Sequence, residues 1–187
     1  MFAYKFLVFF IASLLAPSIA APIWHGGSDT ADLQAREPAK GTLKHAVQAV
    51  STINKVNKSF HPKEGEAVFW SGTRSGPHDT RVSVHGDAQK FAHDHGKSTI
   101  NHGLSQNGIR IPDRKENPHS DHIWNEASKT WAERAHGHTH AILGGHVRPQ
   151  SVYKTIEKPI LMKNDRVTKL TEHNMETGKK TVVKGGK

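Results

Sequence analysis

Cysteine is absent from the 187-residue sequence. Its absence excludes disulfide bonds, thiolate metal sites and cysteine nucleophiles at once. The fold must therefore be held by hydrophobic packing and hydrogen bonds. A chain of this length buries about 70% of the surface that it exposes when unfolded, so covalent cross-links are not needed for stability.

Acidic residues are scarce as well. The 17 Asp and Glu face 26 Lys and Arg, which gives a net charge of +9 before any of the 15 histidines is protonated. A surface of this sign favours acidic partners such as phosphates and anionic cell surfaces. Because the basic residues are dispersed and form no known nucleic-acid-binding module, we expect no nucleic-acid partner.

A long hydrophobic run occurs only near the amino terminus. Lys5 is followed by an almost unbroken apolar run over residues 6–16, and then by the small-residue sequence Ser18-Ile19-Ala20. This order is typical of a secretory signal peptide, and the run is too short to span a bilayer comfortably. We therefore predict a signal peptide over residues 1–20, a secreted, extracellular mature protein, and no membrane association after cleavage.

Composition divides the rest of the chain once more. Residues 21–40 contain glycine and proline without a sustained apolar period, which predicts a flexible arm. Residues 41–187 are predicted to form a single domain. An Asn-x-Ser acceptor at Asn57 is a candidate glycosylation site, expected just past the first helix of that domain.

Hydrophobic periodicity predicts the helices and strands of this domain. Apolar residues at three- and four-residue spacing indicate helices over residues 42–56, 87–95 and 120–135. Short apolar runs between turn residues indicate strands at 67–70 and 139–143, and a terminal hairpin of 167–170 and 181–183. This order favours an α/β fold, with α+β as the alternative, in which the amino-terminal half is helical and the carboxy-terminal half is rich in sheet.

Three features of the domain could carry chemistry. Trp70 ends a predicted strand, Trp124 and Ser128 lie one turn apart on a predicted helix, and Glu157 interrupts an apolar segment. Each alone is common, since a tryptophan is more often a core anchor and a glutamate more often solvated. Together they predict a pocket with aromatic walls and one carboxylate, which suits cleavage of a ribosyl bond to a flat heterocycle.

The order of these motifs, over residues 67–183, resembles the ADP-ribosyl cyclase and NAD-glycohydrolase family, particularly its small secreted, toxin-like microbial relatives. The resemblance rests on four stretches, which are Val68-Phe69-Trp70-Ser71-Gly72, residues 124–135, residues 143–149 and residues 151–159. It implies a cyclase-like fold and hydrolysis of NAD or NADP to ADP-ribose and nicotinamide, with minor cyclisation. It also implies action as a toxin or effector on a host or competitor cell.

Carried over by position, the resemblance assigns roles to individual residues. It implies that Glu157 is the catalytic carboxylate and that Trp70 and Trp124 line the nicotinamide-ribose cleft. Ser71 and Ser128 would contact the phosphates or ribose, and Tyr153 would supply an aromatic ring near the phosphates.

Two chemical features of the sequence bear on the same substrate. Arg148 is a further phosphate candidate, because a guanidinium group suits bidentate recognition; a surface charge or a structural ion pair is its alternative role. Gly144-Gly145 lacks the spacing of a nucleotide-binding glycine-rich loop. NAD or NADP would therefore be a substrate, and we expect no resident cofactor.

One position departs from the family pattern. After Thr99, where the family has an acidic residue, this chain has Asn101. An amide can hydrogen-bond the nicotinamide carboxamide but cannot act as an acid or base. The departure leaves open a second reading, an inactive secreted module that binds nucleotides or a protein.

The histidines offer a third reading. His136, His138 and His140 alternate at period two, so on a strand they would share one face, and the pairs 93 and 95 or 119 and 122 could add ligands. Such a protein would bind zinc or copper. Because no His-Glu-x-x-His helix is present and the histidines are scattered, we expect no metal site.

Overall fold

The computed structural model describes residues 40–186, so the predicted signal peptide and residues 21–39 of the predicted arm lie outside the described residues. Five α-helices are present in the described part, namely α1 (Lys40–Ser59), α2 (His85–Asp94), α3 (Ile100–Gln106), α4 (Ser120–Arg134) and α5 (Lys158–Lys163). A π-helical turn, Tyr153–Glu157, leads directly into α5, and a short 3-10 turn spans Pro77–Asp79. The three helices predicted from hydrophobic spacing correspond to α1, α2 and α4 and are confirmed.

Seven strands form two sheets in this part of the chain. The strands are β1 (Ala67–Ser71), β2 (Thr73–Ser75), β3 (Arg81–Ser83), β4 (Ser98–Thr99), β5 (His138–Leu143), β6 (Lys169–Asn174) and β7 (Lys180–Lys184). The larger sheet has the order β4-β1-β5-β6-β7, with β7 antiparallel to β6 and the other neighbours parallel. Strands β2 and β3 form a separate antiparallel pair.

The order of the parallel strands determines where a ligand site is expected. From β1 the chain passes to β4 on one side and later to β5 on the other side. In open parallel sheets, such a reversal opens a crevice at the carboxyl ends of the two flanking strands. The carboxyl ends of β1 and β5 are therefore where a binding cavity should lie.

Two hydrophobic clusters cover the two faces of the sheet. One contains Phe69 and Ala141 and is packed by α1, α4 and α5, with Phe60 and Trp131 in edge contact at 5.2 Å between ring centroids. The other contains Val68 and Ile142 together with buried alanines of α2. Because β1 is buried on both faces, its apolar run is typical of a central parallel strand.

The α/β class predicted from the sequence is the class observed. The predicted terminal hairpin is present as β6 and β7, although β6 begins at Lys169, two residues later than expected. The first half of the domain contributes β1, which was predicted, and the two-residue β4 to the larger sheet, and the second half contributes β5, β6 and β7. Within residues 40–186, none of the helices has the length and apolar character that crossing a bilayer requires.

Asn57 lies within the last turn of α1 and not past the helix as predicted. The stripe of apolar residues on α1 continues to Val56, which is buried, so the helix extends to Ser59. The Asn57 side-chain oxygen accepts a hydrogen bond from the Thr130 hydroxyl at 2.8 Å. Glycosylation at Asn57 stays a prediction.

Candidate active site

A cavity of about 770 Å³ opens at the carboxyl ends of β1 and β5. Its walls come from the end of β1, the first half of α4, the loop after β5 and the π-helical turn. Seven of the eight residues predicted to form the site line this one cavity, namely Trp70, Ser71, Trp124, Ser128, Arg148, Tyr153 and Glu157. The eighth, Asn101, does not.

Two loops meet closely beneath the cavity. The backbone N–H of Thr73 donates to the carbonyl of His146 at 3.1 Å, and the N–H of His146 donates back to the carbonyl of Thr73 at 3.1 Å. Gly72 has φ 91°, and a Cβ there would lie 2.5 Å from the His146 carbonyl oxygen. A Cβ at Gly144 would collide with the Thr73 backbone. The loops after β1 and β5 therefore depend on glycine at both positions.

Glu157 is the buried carboxyl of the cavity. It is the last residue of the π-helical turn and its side chain is nearly enclosed, with 6% of the residue exposed. Burial raises the pKa of Glu157 to about 8, although a hydrogen bond with Ser128 acts in the opposite direction. This carboxyl is therefore mostly protonated at neutral pH. Isolated π-helical turns are frequent at functional sites.

Helix α4 contributes the opposite wall. Trp124 and Ser128 are four residues apart, so they lie on one face of the helix, and both line the cavity. At the mouth, Arg114 pairs with Asp121 at 2.7 Å, and both side chains are largely exposed. Such an exposed pair contributes little to stability but can exchange partners with a ligand.

Tyr153 contributes its ring to the cavity, whereas its hydroxyl is bound elsewhere. The hydroxyl donates to Glu172 Oε1 at 2.8 Å, and the same carboxylate pairs with Lys158 at 2.7 Å. Burial raises the pKa of Tyr153 far above its usual range, and the neighbouring Glu172 carboxylate adds to that rise. The hydroxyl thus stays protonated and anchors the π-helical turn to β6.

The structure corrects the placement of Asn101. Thr99 caps α3 by accepting a hydrogen bond from the N–H of His102, so the chain enters a helix directly after β4. As a result Ile100 lines the cavity, and Asn101 instead contacts His85, with 2.9 Å between Asn101 Nδ2 and His85 Nε2. The His85 ring packs against Trp70 with 4.7 Å between ring centroids.

The contact between Asn101 and His85 leaves one polar atom without a partner. The side-chain oxygen of Asn101 is buried and makes no hydrogen bond. A buried unpaired acceptor costs about 1–3 kcal/mol. Asn101 therefore contacts the ring that packs against Trp70 but does not itself line the cavity.

Several residues of the site were not predicted. Arg114, Asp121, His146 and Gln150 line the cavity, and His85 supports Trp70. His146 lies inside the 143–149 stretch, so the sequence offered a signal for it. His85 gave no signal, because its role depends on the docking of α2 against β1.

The histidines of the metal reading are spread over several elements. His138 and His140 lie on the same face of β5 as predicted, but residue 136 precedes the strand, and the pairs at 93 and 95 and at 119 and 122 belong to α2 and α4 or their ends. Between residues 40 and 186, no three His, Asp or Glu side chains converge in a way that would hold a metal ion.

No family model matches the chain, and no curated protein matches it. Among solved structures, Aplysia cyclase complexed with the substrate NGD and the product cGDPR aligns over 59% of this chain and 49% of its own chain. The identity is 21% and the TM-score 0.43.

Two further solved structures align with the chain. An ADP-ribosyl cyclase complexed with N1-cIDPR covers 67% of this chain and 64% of its own, at 18% identity and a TM-score of 0.43. Porcine CD38 complexed with a covalent intermediate, ribo-F-ribose-5'-phosphate, covers 67% of this chain and 69% of its own, at 19% identity and a TM-score of 0.39. The aligned part of this chain thus spans about half to two thirds of the length of these three proteins.

Proposed function

We propose that this protein is a secreted NAD(P) glycohydrolase. It cleaves the bond between nicotinamide and ribose to give nicotinamide and ADP-ribose, with cyclisation as a minor outcome. The observation that carries the proposal is that Glu157, a nearly enclosed carboxyl, faces the same cavity as Trp70 and Trp124. The family resemblance of the four sequence stretches supports the same chemistry.

The chemistry needs a carboxylate but no general acid. When the C1'–N bond breaks, its electron pair stays on the pyridinium nitrogen, so nicotinamide leaves as a neutral molecule without taking up a proton. Positive charge then develops on the ribose, where an adjacent carboxylate stabilises it. A water molecule attacks C1' and loses one proton to solvent, which completes the hydrolysis.

Substrate binding would place Glu157 in its active protonation state. The positively charged nicotinamide ring favours the ionised form of a neighbouring carboxyl and thus lowers its pKa from about 8. Ionisation and binding are therefore coupled. An empty cavity holds the neutral acid, and an occupied cavity holds the carboxylate.

The rest of the cavity fits a dinucleotide. Its volume lies in the range of pockets that enclose small ligands. The two indole rings offer flat surfaces for the nicotinamide ring, and indole faces also attract cations. On the loop after β5, Arg148 supplies a cationic group for the phosphates and His146 supplies a ring nitrogen that can hydrogen-bond to them.

The proposal is tested with the secreted protein and NAD or NADP as substrate. Nicotinamide release is compared between wild type, Glu157→Gln and Glu133→Gln, a matched change at an exposed position of α4. We expect a loss of about a hundredfold or more for Glu157→Gln, roughly 2.7 kcal/mol of transition-state stabilisation, and no loss for the control. Equal rates for all three would remove Glu157 from the mechanism.

An inactive binding module is the second candidate, and Asn101 favours it. The family has an acidic residue at this position, and here the amide contacts His85 and does not line the cavity. In the nicotinamide assay, NAD binding without release by the wild type would identify such a module. A wild type that neither binds NAD nor releases nicotinamide would exclude the glycohydrolase and the nucleotide-binding module.

Secretion and the role as a toxin or effector belong to the same proposal. They rest on the signal-peptide pattern of residues 1–20 and on the enzymatic chemistry, since depletion of NAD harms a host or competitor cell. The intact mass of the protein in culture medium should lack about twenty residues. Retention of these residues in the exported protein would contradict the predicted cleavage.

A further inference from the structure

A cluster of histidines occupies the sheet face beside α2, away from the cavity. Because side chains alternate along a strand, His138 and His140 of β5 point to the same face as His173 of β6, which pairs in register with Ile142. Phe91, near the end of α2, lies in the middle of the cluster. Its ring centroid is 5.1 Å from that of His140 and 5.0 Å from that of His173.

The imidazole rings of the cluster are in direct contact. His140 Nδ1 and His173 Nε2 are 3.0 Å apart, and the ring centroids of His138 and His140 are 4.1 Å apart. His95, directly after α2, stacks on Phe91 at 4.2 Å. Two of the rings are also anchored, His138 by the Thr171 hydroxyl at 2.9 Å and His95 by the Phe91 carbonyl at 2.8 Å. The cluster is therefore an ordered arrangement of four imidazoles.

Lysines surround the cluster. In the strand register, Lys169 lies opposite His138 and Lys180 lies opposite His173. Lys97 lies close enough to lower the pKa of His138 and His140. The face is open toward β7, where Lys180 is exposed and Val182 is 42% exposed. We call these four histidines and three lysines the cationic face.

No carboxylate is among the groups that shift the pKa values of His138, His140 and His173. Burial and neighbouring cations lower the pKa of His138, His140 and His173, in the case of His140 to about 3. The nearest strand carboxylate, Glu172, alternates to the opposite face and is held by Tyr153 and Lys158.

The carboxylate at the end of α2 is likewise engaged. Asp94 is bound by Lys90 at 2.7 Å and lies near His93 at 3.4 Å, and these contacts lower the pKa of Asp94. The lysines around the cluster disfavour protonation of the neighbouring imidazoles, in addition to the effect of burial. A bound anion would remove that penalty.

The cationic face is distinct from the candidate active site. None of its seven residues lines the cavity. His138 opens β5, whereas the cavity lies beyond the other end of that strand. A ligand of the cationic face would therefore not compete for the cavity.

We propose that the cationic face binds an anionic polysaccharide and that the binding strengthens as the pH falls. Five of its residues, namely His138, His140, Lys169, His173 and Lys180, lie on three neighbouring strands about 4.8 Å apart, so the repeated anionic groups of a polymer can reach more of them than a single small anion can. The Phe91 ring is already packed by three imidazoles, so it offers no free face for stacking of nucleic-acid bases.

The pH dependence follows from the histidines. A bound anion stabilises the protonated imidazoles, so the complex takes up protons that the free protein lacks. Affinity must then increase as the pH falls. The uptake is measured directly by calorimetry in two buffers that differ in ionisation enthalpy.

The test uses the secreted protein and heparin as the sulfated probe, at about pH 5.5 and 7.5. Lys169→Gln combined with Lys180→Gln should weaken heparin binding about tenfold at low salt. The matched control, Lys55→Gln with Lys129→Gln, removes the same charge from exposed positions of α1 and α4 and should change affinity less than twofold. Nicotinamide release should be the same in both double variants.

A second variant separates the histidines from the lysines. His140→Gln with His173→Gln should abolish the extra proton uptake at about pH 5.5, and its thermal unfolding shows whether the fold is kept. If that variant unfolds, two measurements still test the proposal. They are the proton uptake of the wild type and the heparin affinities of the two lysine double variants. Any of three results would overturn the proposal. They are equal losses of heparin affinity in the lysine variant and its control, no proton uptake on binding by the wild type, and tighter binding of single-stranded DNA than of heparin.

Discussion

Glutamine at position 157 should remove activity and, at the same time, stabilise the protein at alkaline pH. In the folded protein, burial raises the pKa of Glu157 from 4.5 to about 8. In the unfolded chain the same group ionises near 4.5. Folding therefore favours the protonated form, and the free energy of unfolding decreases as the pH rises from about 4.5 to about 8.

The size of the effect follows from the two pKa values. A difference of this magnitude corresponds to a contribution of roughly 5 kcal/mol to the free energy of unfolding. The full contribution is present below about pH 4.5, and it is lost once the pH exceeds about 8. Glu157→Gln has no such ionisation. Its free energy of unfolding, compared with wild type, should be similar at about pH 4 and higher by several kcal/mol at about pH 8.

Urea unfolding at about pH 4, 6 and 8 measures this difference. The exposed Glu133→Gln variant serves as the control, and its curve should follow that of wild type at every pH. A constant difference between Glu157→Gln and wild type across this range would refute the argument. It would mean that the carboxyl is ionised in the folded protein or is reached by water.

Three further predictions concern the same cavity. If the free protein holds the neutral acid, kcat/KM for nicotinamide release should rise with pH toward about 8 and then level off, whereas a flat profile would contradict this. His85→Ala should raise KM by removing the ring that supports Trp70, and His85→Phe should restore the wild-type KM. Equal KM values for wild type and His85→Ala would show that the stacking is irrelevant. Tyr153→Phe should lower the free energy of unfolding by about 1–2 kcal/mol, because Glu172 loses its hydroxyl donor, while nicotinamide release changes less than tenfold.

Local sequence patterns predicted much of the fold. The apolar stripes of α1 and α4 and the buried run of β1 are periodic over short distances, and periodicity of this kind reflects which side of an element is buried. Two tryptophans and one carboxyl predicted a pocket, but the strand order that places it at the ends of β1 and β5 was not predicted from the sequence. Trp70, Trp124 and Glu157 accordingly line one cavity.

Features that depend on packing between distant elements could not be predicted. Asn101 contacts His85, sixteen residues earlier, only because α2 docks against β1 and because Thr99 starts a helix at once. The π-helical turn that carries Glu157 has no sequence signature of its own. The placement of Asn57 failed for a simpler reason, since helix ends are the least certain part of any periodic pattern.

The two hydrophobic clusters hold the sheet and helices together without any covalent link between chain segments. Many exported proteins lose their structure when they meet glutathione or thioredoxin, because their disulfide bonds are reduced. This molecule offers nothing to reduce. Its unfolding midpoint should be the same with and without dithiothreitol, so an exported copy that reached the interior of another cell would stay folded where NAD is found.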